Sequence, residues 1–562
     1  EVLPTDTIKH TINVENSDYY GSKGLVINGT LSDGQTLQSD TSTEPVFTYT
    51  DSDKKQHTVY LGANADGTAA TNPYFTWTKN ADGTTTMVFN IAAADQTAAL
   101  MAAAGKGSLV YYTTVNRQYS NTNPVTEADA LTSSVSANVA LLDPDTLQPV
   151  MADGTTAETA TDTSSTILTV PKGQITLTVV GINGVTVPEG TPAPPIKAGD
   201  NVTYQATYTL QTGTFNGLDL ASYLPEPLFN TTAPQASGSS SFTAATAQDD
   251  SSYINSAAAG TYLLSNSSPG TVSIAGATAD GTSNDLDFTF ADSNHASTNT
   301  NETVTVLFTI RATDAPFANG LLMTSEEQST FTNGQNATLA TSVILQTPVG
   351  SPQAELKTGI VSVVNNGSAA TDVSYKVDGS GSAADAPSNY ADANSSSVFT
   401  SAGDPNGTGL VSQDNLNVTG AQGNETVRVA TTVANTGDGA MYDLVVKGAT
   451  PVVDGASLPA TNVVVTTSDG RSQVLTEAQK TEYFSDGGLD LSTVLSPPTD
   501  GKSGEVLAAQ TKDSSGNVTA VDSLTITYDV ALPSGTNPDS ALTASANVVS
   551  YTNTTGGTND FV

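Results

Sequence analysis

The chain has 562 residues, and its 18 Lys and Arg stand against 56 Asp and Glu, which gives a formal net charge of −38. A surface this acidic repels phosphate backbones and anionic lipid headgroups, so nucleic acid and the inner membrane surface are excluded as expected partners. The chain has no cysteine, which excludes disulfides, thiolate metal sites and cysteine nucleophiles. The length predicts three or four domains, and the composition is typical of an extracellular protein of a bacterial or archaeal cell surface.

Residues of alternating polarity predict β-strands along nearly the whole chain. Apolar residues alternate with polar ones over 8–14, and the same pattern returns at 202–208 and 427–433. A period of two is typical of a strand with one buried face, and the many β-branched Thr and Val residues favour strands further. Helical patterns are short, namely a capping box at 476–479 and an Ala-rich stretch at 96–104. The predicted fold class is therefore all-β, with only short helical turns.

An internal repeat divides the chain into three predicted β-sandwich modules. Each module carries an apolar block that is followed, about twenty residues later, by an aromatic residue and Thr. The blocks lie at 87–91, 306–310 and 526–530, and the aromatic residues are Tyr112, Phe331 and Tyr551. The predicted modules are 1–165, 166–350 and 351–562, and the third contains a polar insertion near 365–420.

The first and the third module each lack one predicted strand. The second and third modules begin with a leading strand, whereas nothing comparable precedes Asp6 in the first. The first and second modules end with a closing strand, whereas the third reaches Val562 before its counterpart. The leading strands are predicted at 174–180 and 355–364, and the closing strands at 135–142 and 341–345.

Two explanations of the missing strands stay open. The chain begins at Glu1 without an initiator Met, a basic segment or an apolar run, and no stretch approaches the ~20 apolar residues of a membrane span. We therefore expect a mature or excised product, and the first explanation is that the chain is a slice of a longer array. The second is that strands from neighbouring molecules complete the open edges, because an unpaired edge is a template for strand addition.

Two segments resemble a known family of surface repeats. The run 427–440, which closes on 443–446, and the segment 198–204, which leads to 220–225, are similar to the repeat called domain of unknown function eleven and to the related fimbrial isopeptide-type domains. The resemblance implies immunoglobulin-like sandwiches that are arrayed in adhesins, fimbriae and surface layers. The first module departs from the pattern, because its segment 30–34 contains no proline.

The fimbrial resemblance also implies a covalent bond between a Lys and an Asn side chain within a module. Lysine is scarce in this chain, and Lys172 and Lys357 lie at the two leading strands. The alternative interpretation is that both lysines are solvated. The partners that the resemblance implies are Asn333 or Asn336 in the second module and Asn547 or Asn553 in the third.

The residues that carry most enzyme chemistry are scarce or scattered. The three histidines are far apart in sequence, and neither a nucleophile elbow nor a phosphate-binding glycine loop occurs. The adjacent pair Glu326 and Glu327 is predicted to lie in a solvated turn. Trp77, the single tryptophan, is predicted to be a buried core aromatic, and the alternative is a platform that stacks on a sugar. We therefore predict a non-enzymatic protein with no catalytic and no cofactor-binding residues.

Calcium is the metal that the sequence favours most. Asp and Asn side chains offer hard oxygen ligands, and the segment 280–287 holds four of them within eight residues. The spacing is not that of a helix–loop–helix calcium loop, and turns are rich in Asp and Asn for backbone reasons alone. The predicted ligands of a structural Ca²⁺ are Asp280, Asn284, Asp285 and Asp287.

These features predict a non-enzymatic extracellular structural protein. We expect a repeating subunit or segment of a cell-surface layer, filament or stalk, whose partners are other copies of itself or adjacent repeats of a longer chain. The alternative is the spacer region of a bacterial adhesin or receptor-binding protein whose ligand-binding tip lies elsewhere. Surface glycans are a further expected partner, and Trp77 is the residue that would contact them in an accessory module of a carbohydrate-active enzyme.

Overall fold

The computed structural model describes residues 1–40, 42–51, 53–62, 74–94, 101–231, 242–246, 248–265, 274–278, 285–292, 302–370, 373–377, 383–384, 416–499, 501–557 and 560–561. Within these residues the chain folds into β-strands and three short helices, and the strands form sheets that are almost entirely antiparallel. Pairs of sheets pack on shared apolar cores, so the fold is a tandem array of immunoglobulin-like β-sandwiches, and the predicted all-β class is confirmed.

The first sandwich has two sheets. Its elements are β1 (Thr7–Glu15), β2 (Gly21–Leu31), β3 (Gln35–Gln38), β4 (Val46–Thr50), β5 (Gln56–Tyr60), β6 (Phe75–Lys79), β7 (Thr85–Asn90), α1 (Ile91–Ala94), β8 (Lys106–Val115), β9 (Ala130–Leu142) and β10 (Thr159–Thr169). The strand orders are β1-β8-β4-β5, with β3 also paired to β8, and β10-β9-β2-β7-β6.

The first sheet of the second sandwich has six strands, one more than the first sheet of the first sandwich. Its elements are β11 (Gln174–Ile182), β12 (Val185–Thr186), β13 (Asn201–Leu210), β14 (Asn216–Tyr223), β15 (Thr243–Ala244), α2 (Asp250–Ser256), β16 (Thr261–Leu264), β17 (Ile274–Thr278), β18 (Asp285–Phe290), β19 (Glu302–Arg311), β20 (Leu322–Thr332) and β21 (Thr338–Pro348). The strand orders are β12-β11-β13-β19-β16-β15 and β17-β18-β14-β20-β21.

The third sandwich is built on β27, β37 and β28. Its elements are β22 (Ala354–Asn365), β23 (Ser368–Ala369), β24 (Ser374–Val377), β25 (Ala383–Ala384), β26 (Leu416–Thr419), β27 (Thr426–Asn435), β28 (Met441–Gly448), β29 (Val452–Val453), β30 (Ala456–Ser457), β31 (Ala460–Thr467), β32 (Ser472–Val474), α3 (Glu477–Tyr483), β33 (Leu489–Asp490), β34 (Glu505–Leu507), β35 (Thr511–Lys512), β36 (Val518–Ala520), β37 (Asp522–Ala531), β38 (Leu542–Thr543) and β39 (Ala546–Thr552). The main strand orders are β23-β22-β27-β37-β31-β32 and β33-β28-β34, with β39 paired to β28.

Alternating polarity places one face of each strand in a core. On β13 the side chains of Val202, Tyr204, Ala206 and Tyr208 are fully buried. They pack against residues of the facing sheet such as Phe288, within one apolar cluster. Burial of an aliphatic or aromatic side chain contributes roughly 1.5–3 kcal/mol each, so these periodic rows hold the two sheets together.

The predicted repeat places its apolar block on equivalent strands in the second and third sandwiches, but on a different strand in the first. The blocks 306–310 and 526–530 lie on β19 and β37, which pair with the equivalent strands β13 and β27. The block 87–91 lies mainly on β7, which pairs with β2, and the true equivalent of β19 is β8, which pairs with β1. Neighbouring strands share the same period of two, so a block of five residues does not identify its strand.

Two other predicted segments differ from the structure. The predicted closing strand 135–142 is part of β9, which lies between β2 and β10, and β10 is the edge strand of that sheet. β10 also runs across the predicted module boundary at 165/166, whereas β21 ends at Pro348 and β22 begins at Ala354. Most of the polar insertion near 365–420 lies outside the described residues.

The predicted capping box is confirmed at the start of α3. The Thr476 hydroxyl accepts the amide of Gln479, and the Gln479 side chain accepts the amide of Thr476. These bonds satisfy backbone donors that the first turn of a helix leaves open. The Ala-rich stretch 96–104 lies partly outside the described residues, and its described end, 101–104, is not helical.

Candidate functional site: the junctions between sandwiches and the open strand edges

The first two sandwiches meet around the buried side chain of Glu127, in the loop between β8 and β9. Its Oε2 accepts a hydrogen bond from the Gly173 amide at 2.9 Å and from the Tyr208 hydroxyl at 2.7 Å, and its Oε1 accepts the Gln211 amide at 2.5 Å. Burial raises the pKa of Glu127, while these three donors lower it. A side chain of the first sandwich thus accepts three hydrogen bonds from residues of the second.

The turn between β20 and β21 contacts the same loop. The Gln335 side chain exchanges two hydrogen bonds with the backbone of Ala130, at 2.8 and 3.2 Å. The Gly334 amide donates to the Thr126 hydroxyl at 2.7 Å. Asp129 accepts the amides of Thr126 and Gln335, and burial raises its pKa to about 6. This second set of bonds limits rotation of the two sandwiches about the Glu127 contact.

The second and third sandwiches meet around Asn319 and Asp438. The Asn319 Oδ1 accepts the amides of Ser351 at 3.1 Å and of Asp438 at 3.0 Å, so one side chain of the second sandwich holds the connecting segment and a loop of the third. The Asp438 carboxylate is paired with the Lys512 ammonium at 2.6 Å and accepts the side-chain amide of Gln510 at 3.1 Å. This junction is therefore also built from polar groups with defined partners.

Replacement of Gly437 by alanine is expected to loosen the second junction. A Cβ at this position would overlap the Ser351 carbonyl oxygen and lie 2.6 Å from the Gln353 amide, and both belong to the backbone of the connecting segment. We expect a loss of about 1–3 kcal/mol in the free energy of unfolding of the third sandwich, measured by urea denaturation, with faster proteolysis near 349–353. Gly535→Ala is the matched control, because no atom lies within 4 Å of its Cβ position. Equal effects of the two substitutions would show that close packing of Gly437 against the connecting segment does not stabilise the junction.

Two strand edges distinguish the outer sandwiches from the middle one. β11 pairs with β13 and β22 pairs with β27, which confirms the two predicted leading strands, and among the described residues no strand lies at the equivalent edge of β1. β39 likewise has no strand on its outer side over 546–550, although Phe561 forms an antiparallel bridge with Tyr551. Among the described residues no strand pairs with either edge, so both edges are candidate contact sites.

The predicted calcium ligands are only partly described. Asp280 and Asn284 lie outside the described residues, whereas Asp285 and Asp287 lie on β18 and share one face of the sheet. Burial and the nearby charges of Asp285 and Asp287 raise the pKa of Tyr223 on the neighbouring strand. Within the described part of the chain, no three side chains of His, Cys, Asp or Glu are close enough together to hold a metal ion. The calcium site therefore stays a prediction.

Trp77 and Glu327 do not lie where the sequence predicted. Trp77 is on the edge strand β6 and its residue surface is 47% exposed, so the predicted burial in the core is wrong. Glu327 is on β20 and completely buried, so the predicted solvated turn is wrong as well. Its Oε2 accepts the hydroxyl of Ser222, none of the described residues hydrogen-bonds its Oε1, and burial raises its pKa to about 8.

Two of the three histidines are held by their neighbours. His10 is buried, stacks on Tyr111 with ring centroids 4.6 Å apart, and lies 2.9 Å from the Thr113 hydroxyl. Burial lowers its pKa to about 4. His57 lies 2.7 Å from an Asp51 carboxylate oxygen, and His295 is outside the described residues. These contacts are typical of structural histidines.

Three of the residues of the implied Lys–Asn bonds have other side-chain contacts. The Lys357 ammonium lies 3.6 Å from a Glu355 carboxylate oxygen. The Asn333 side chain accepts the Ala337 amide at 2.8 Å, and the Asn553 side chain donates to the Ala315 carbonyl at 3.4 Å. The Lys–Asn bonds therefore stay predictions.

Comparisons with known proteins give no family for this chain. No protein-family model and no curated protein matches the sequence, so no match supports the resemblance to domain of unknown function eleven. No helix of the described residues is long and apolar enough to cross a membrane.

Solved structures of bacterial surface proteins are similar to the chain at low scores. The major pilin subunit BcpA of Bacillus cereus is 8% identical over 84% of this chain and 96% of that one, with a TM-score of 0.21. The C-terminal domain of the antigen I/II-family protein AspA of Streptococcus pyogenes is 9% identical over 61% and 93%, with a TM-score of 0.22. The major pilin SpaD of Corynebacterium diphtheriae is 10% identical over 66% and 72%, with a TM-score of 0.21.

Proposed function

We propose that the chain is a non-enzymatic structural segment of a cell-surface assembly, a repeating part of a layer, filament or stalk. The observation that carries the proposal is the pair of junctions at Glu127 and Asn319. Free linkers would suffice to connect independent binding domains, whereas these junctions hold successive sandwiches through buried and partly buried hydrogen bonds. A protein that spans a distance or carries mechanical force needs such fixed connections.

The surface charge also supports a role outside the cell. The net charge of −38 keeps copies of the chain apart except where specific contacts offset the repulsion. The long edge strand β10 is rich in Thr and Ser and carries Asp162, which discourages unspecific edge-to-edge pairing. An acidic array whose long edge strand β10 carries polar and charged side chains suits an extracellular environment where many copies lie side by side.

Electron microscopy of the purified chain tests this proposal. The chain is imaged first in calcium on the order of 1 mM and then in excess chelator. In calcium we expect ordered sheets or filaments with a repeat set by the three sandwiches. Assemblies that dissolve in chelator would support both the structural role and the predicted calcium. Assemblies that persist would support the structural role without calcium. Separate single particles under both conditions would contradict self-assembly and favour the alternative, the spacer region of an adhesin whose binding tip lies elsewhere.

A further inference from the structure

The outer face of the sheet β10-β9-β2-β7-β6 is built mainly from uncharged polar side chains. The strand register places residues of adjacent strands in rows that cross the sheet. One row consists of hydroxyl side chains alone, those of Ser165, Ser134, Thr30, Thr86 and Thr78. The next row consists of Thr163, Ser136, Asn28, Val88 and Thr76. Neither row contains a charged side chain, although the net charge of the chain is −38.

A shallow hollow of about 400 Å³, which we call the β9 hollow, lies over the β2, β9 and β10 part of these rows. Two half-buried serines of β9 form its floor, and exposed side chains of the two neighbouring strands form its sides. The floor is Ser134 and Ser136, and the sides are Asn28 and Thr30 of β2 and Thr163 and Ser165 of β10. Within the described part of the chain, no residue hydrogen-bonds these six side chains, so their donors and acceptors are available to a ligand.

The equivalent sheet of the second sandwich has a different outer face. Its strand order β21-β20-β14-β18-β17 matches β10-β9-β2-β7-β6, so β14 takes the place of β2. The row through Tyr223 of β14 contains Glu326 of β20 and Asp285 of β18, and the next row contains Asp287. The same position in the fold is therefore acidic in the second sandwich and uncharged in the first, which means that the fold itself does not impose the uncharged face.

The lining of the β9 hollow disfavours a polypeptide as its ligand. The strand at its floor is paired along both edges, with β2 and β10, so the floor offers no free backbone to an added strand. Val135 is the single apolar side chain in the lining, so an apolar anchor of a partner protein would find little to pack against. The hollow covers on the order of 200 Å², well below the roughly 800 Å² that each partner of a stable protein interface buries.

The chemistry of the lining favours a ligand with many hydroxyl groups and no charge. Hydroxyl and amide side chains both donate and accept hydrogen bonds, as sugar hydroxyls do. An anionic ligand would be repelled by the net charge of −38, and the six polar side chains of the lining offer a cationic ligand no carboxylate. Neighbouring strands are about 4.8 Å apart, so successive side chains of a row are spaced by about the length of one sugar residue.

We propose that the β9 hollow binds a neutral oligosaccharide. The sugar lies across β2, β9 and β10, and its hydroxyls bond the side chains of the two rows. Trp77 is not part of this site, because it shares the opposite face of the sheet with the buried residues Phe75 and Met87. The inference goes beyond the proposed function, since a cell-surface segment can assemble with or without a bound sugar.

Isothermal titration of the full chain with cellohexaose, maltohexaose and chitohexaose tests the proposal. We expect saturable binding of at least one of these neutral hexamers. Ser136→Gln fills the floor of the hollow with a longer uncharged side chain and is expected to weaken binding more than about tenfold. Asn28→Ala removes an amide from one side and is expected to weaken binding about threefold to tenfold. Ser342→Gln is the matched control, because Ser342 is an exposed serine on the outer face of β21 in the second sandwich, and we expect no change in affinity.

The single tryptophan separates this site from the alternative platform. Its fluorescence is expected to stay unchanged when the sugar binds, and unchanged hydrogen exchange of β9 amides without sugar confirms the fold of each variant. Absence of saturable binding by all three hexamers, or equal binding by Ser136→Gln and Ser342→Gln, would overturn the proposal. Loss of binding in Trp77→Ala but not in Ser136→Gln would overturn it too, because the sugar would then stack on Trp77. Tighter binding of the acidic hexagalacturonic acid than of any neutral hexamer would contradict the assigned chemistry. Each of these results would leave the cell-surface role untouched.

Discussion

Glu127→Ala is expected to lower the free energy of unfolding of the second sandwich by about 3 kcal/mol. The substitution leaves the Tyr208 hydroxyl and the amides of Gly173 and Gln211 without the carboxylate that accepts them. A buried donor without a partner costs about 1–3 kcal/mol, and water that enters the opened junction recovers part of that loss. Because two of the three donors are backbone groups of the second sandwich, the damage reaches beyond the loop that carries Glu127.

Urea denaturation and small-angle scattering measure the two parts of this prediction. Glu158→Ala is the matched control, since Glu158 is an exposed glutamate of the same sandwich, and its effect is expected to be within about 0.5 kcal/mol. Glu127→Gln keeps an acceptor oxygen for Tyr208 and should lose less stability than Glu127→Ala. The scattering profile of Glu127→Ala is expected to change because the first sandwich reorients relative to the second. Unchanged stability and scattering would show that the junction does not depend on this carboxylate.

Glu327 is expected to make the second sandwich less stable as the pH rises from about 4.5 to 8. Burial raises its pKa from 4.5 to about 8, so the folded state binds the proton more tightly than the unfolded chain does. Between these two values the unfolded carboxyl is ionised while the folded one is protonated, and the free energy of unfolding therefore falls with pH. A full shift of this size corresponds to roughly 5 kcal/mol, most of it lost by pH 8.

Glu327→Gln isolates this contribution. The amide is neutral at every pH, so the variant should be more stable than the unsubstituted protein at pH 9 and similar to it at pH 5. Glu326→Gln is the control, because Glu326 precedes Glu327 on β20 and faces away from the core. Asp129, whose pKa is about 6, adds a smaller loss of the same sign that all three proteins share. If the free energy of unfolding changes with pH in the same way for the protein and for Glu327→Gln, Glu327 is not the group responsible.

The sequence predicted the strands because burial has a simple period. Val202, Tyr204 and Tyr208 alternate with polar residues, and the structure buries all three. The same rule indicates the environment of Glu327, since it shares a face of β20 with Ser329 and Phe331, both buried. Its charge favours an interpretation as a solvated turn, whereas the alternation of the strand places it among these buried neighbours. A polar residue on the apolar face of a predicted strand is therefore a signal of a buried titratable group.

The junctions could not be predicted from local patterns. Gln335 contacts Ala130 across 205 positions of the chain, and Glu127 contacts Tyr208 across 81. Neither Glu127 nor Asn319 belongs to a motif, and a loop carboxylate or amide is ordinarily solvated. By contrast, an internal repeat supplies its own reference, so the sequence alone predicted a difference at the start of the first module. Among the described residues, no strand pairs with the edge of β1 that corresponds to the β11 edge of β13.

Spin-label distance measurements across both junctions test the central claim most directly. The chain has no cysteine, so Thr161→Cys on β10 and Ser472→Cys on β32 introduce two unique labels at exposed positions of the first and third sandwiches. If the junctions hold the three sandwiches in one arrangement, the distance distribution has a single narrow peak, which Glu127→Ala broadens. A broad distribution in the otherwise unsubstituted chain would contradict the account, because the sandwiches would then move independently and the chain would be a flexible tether.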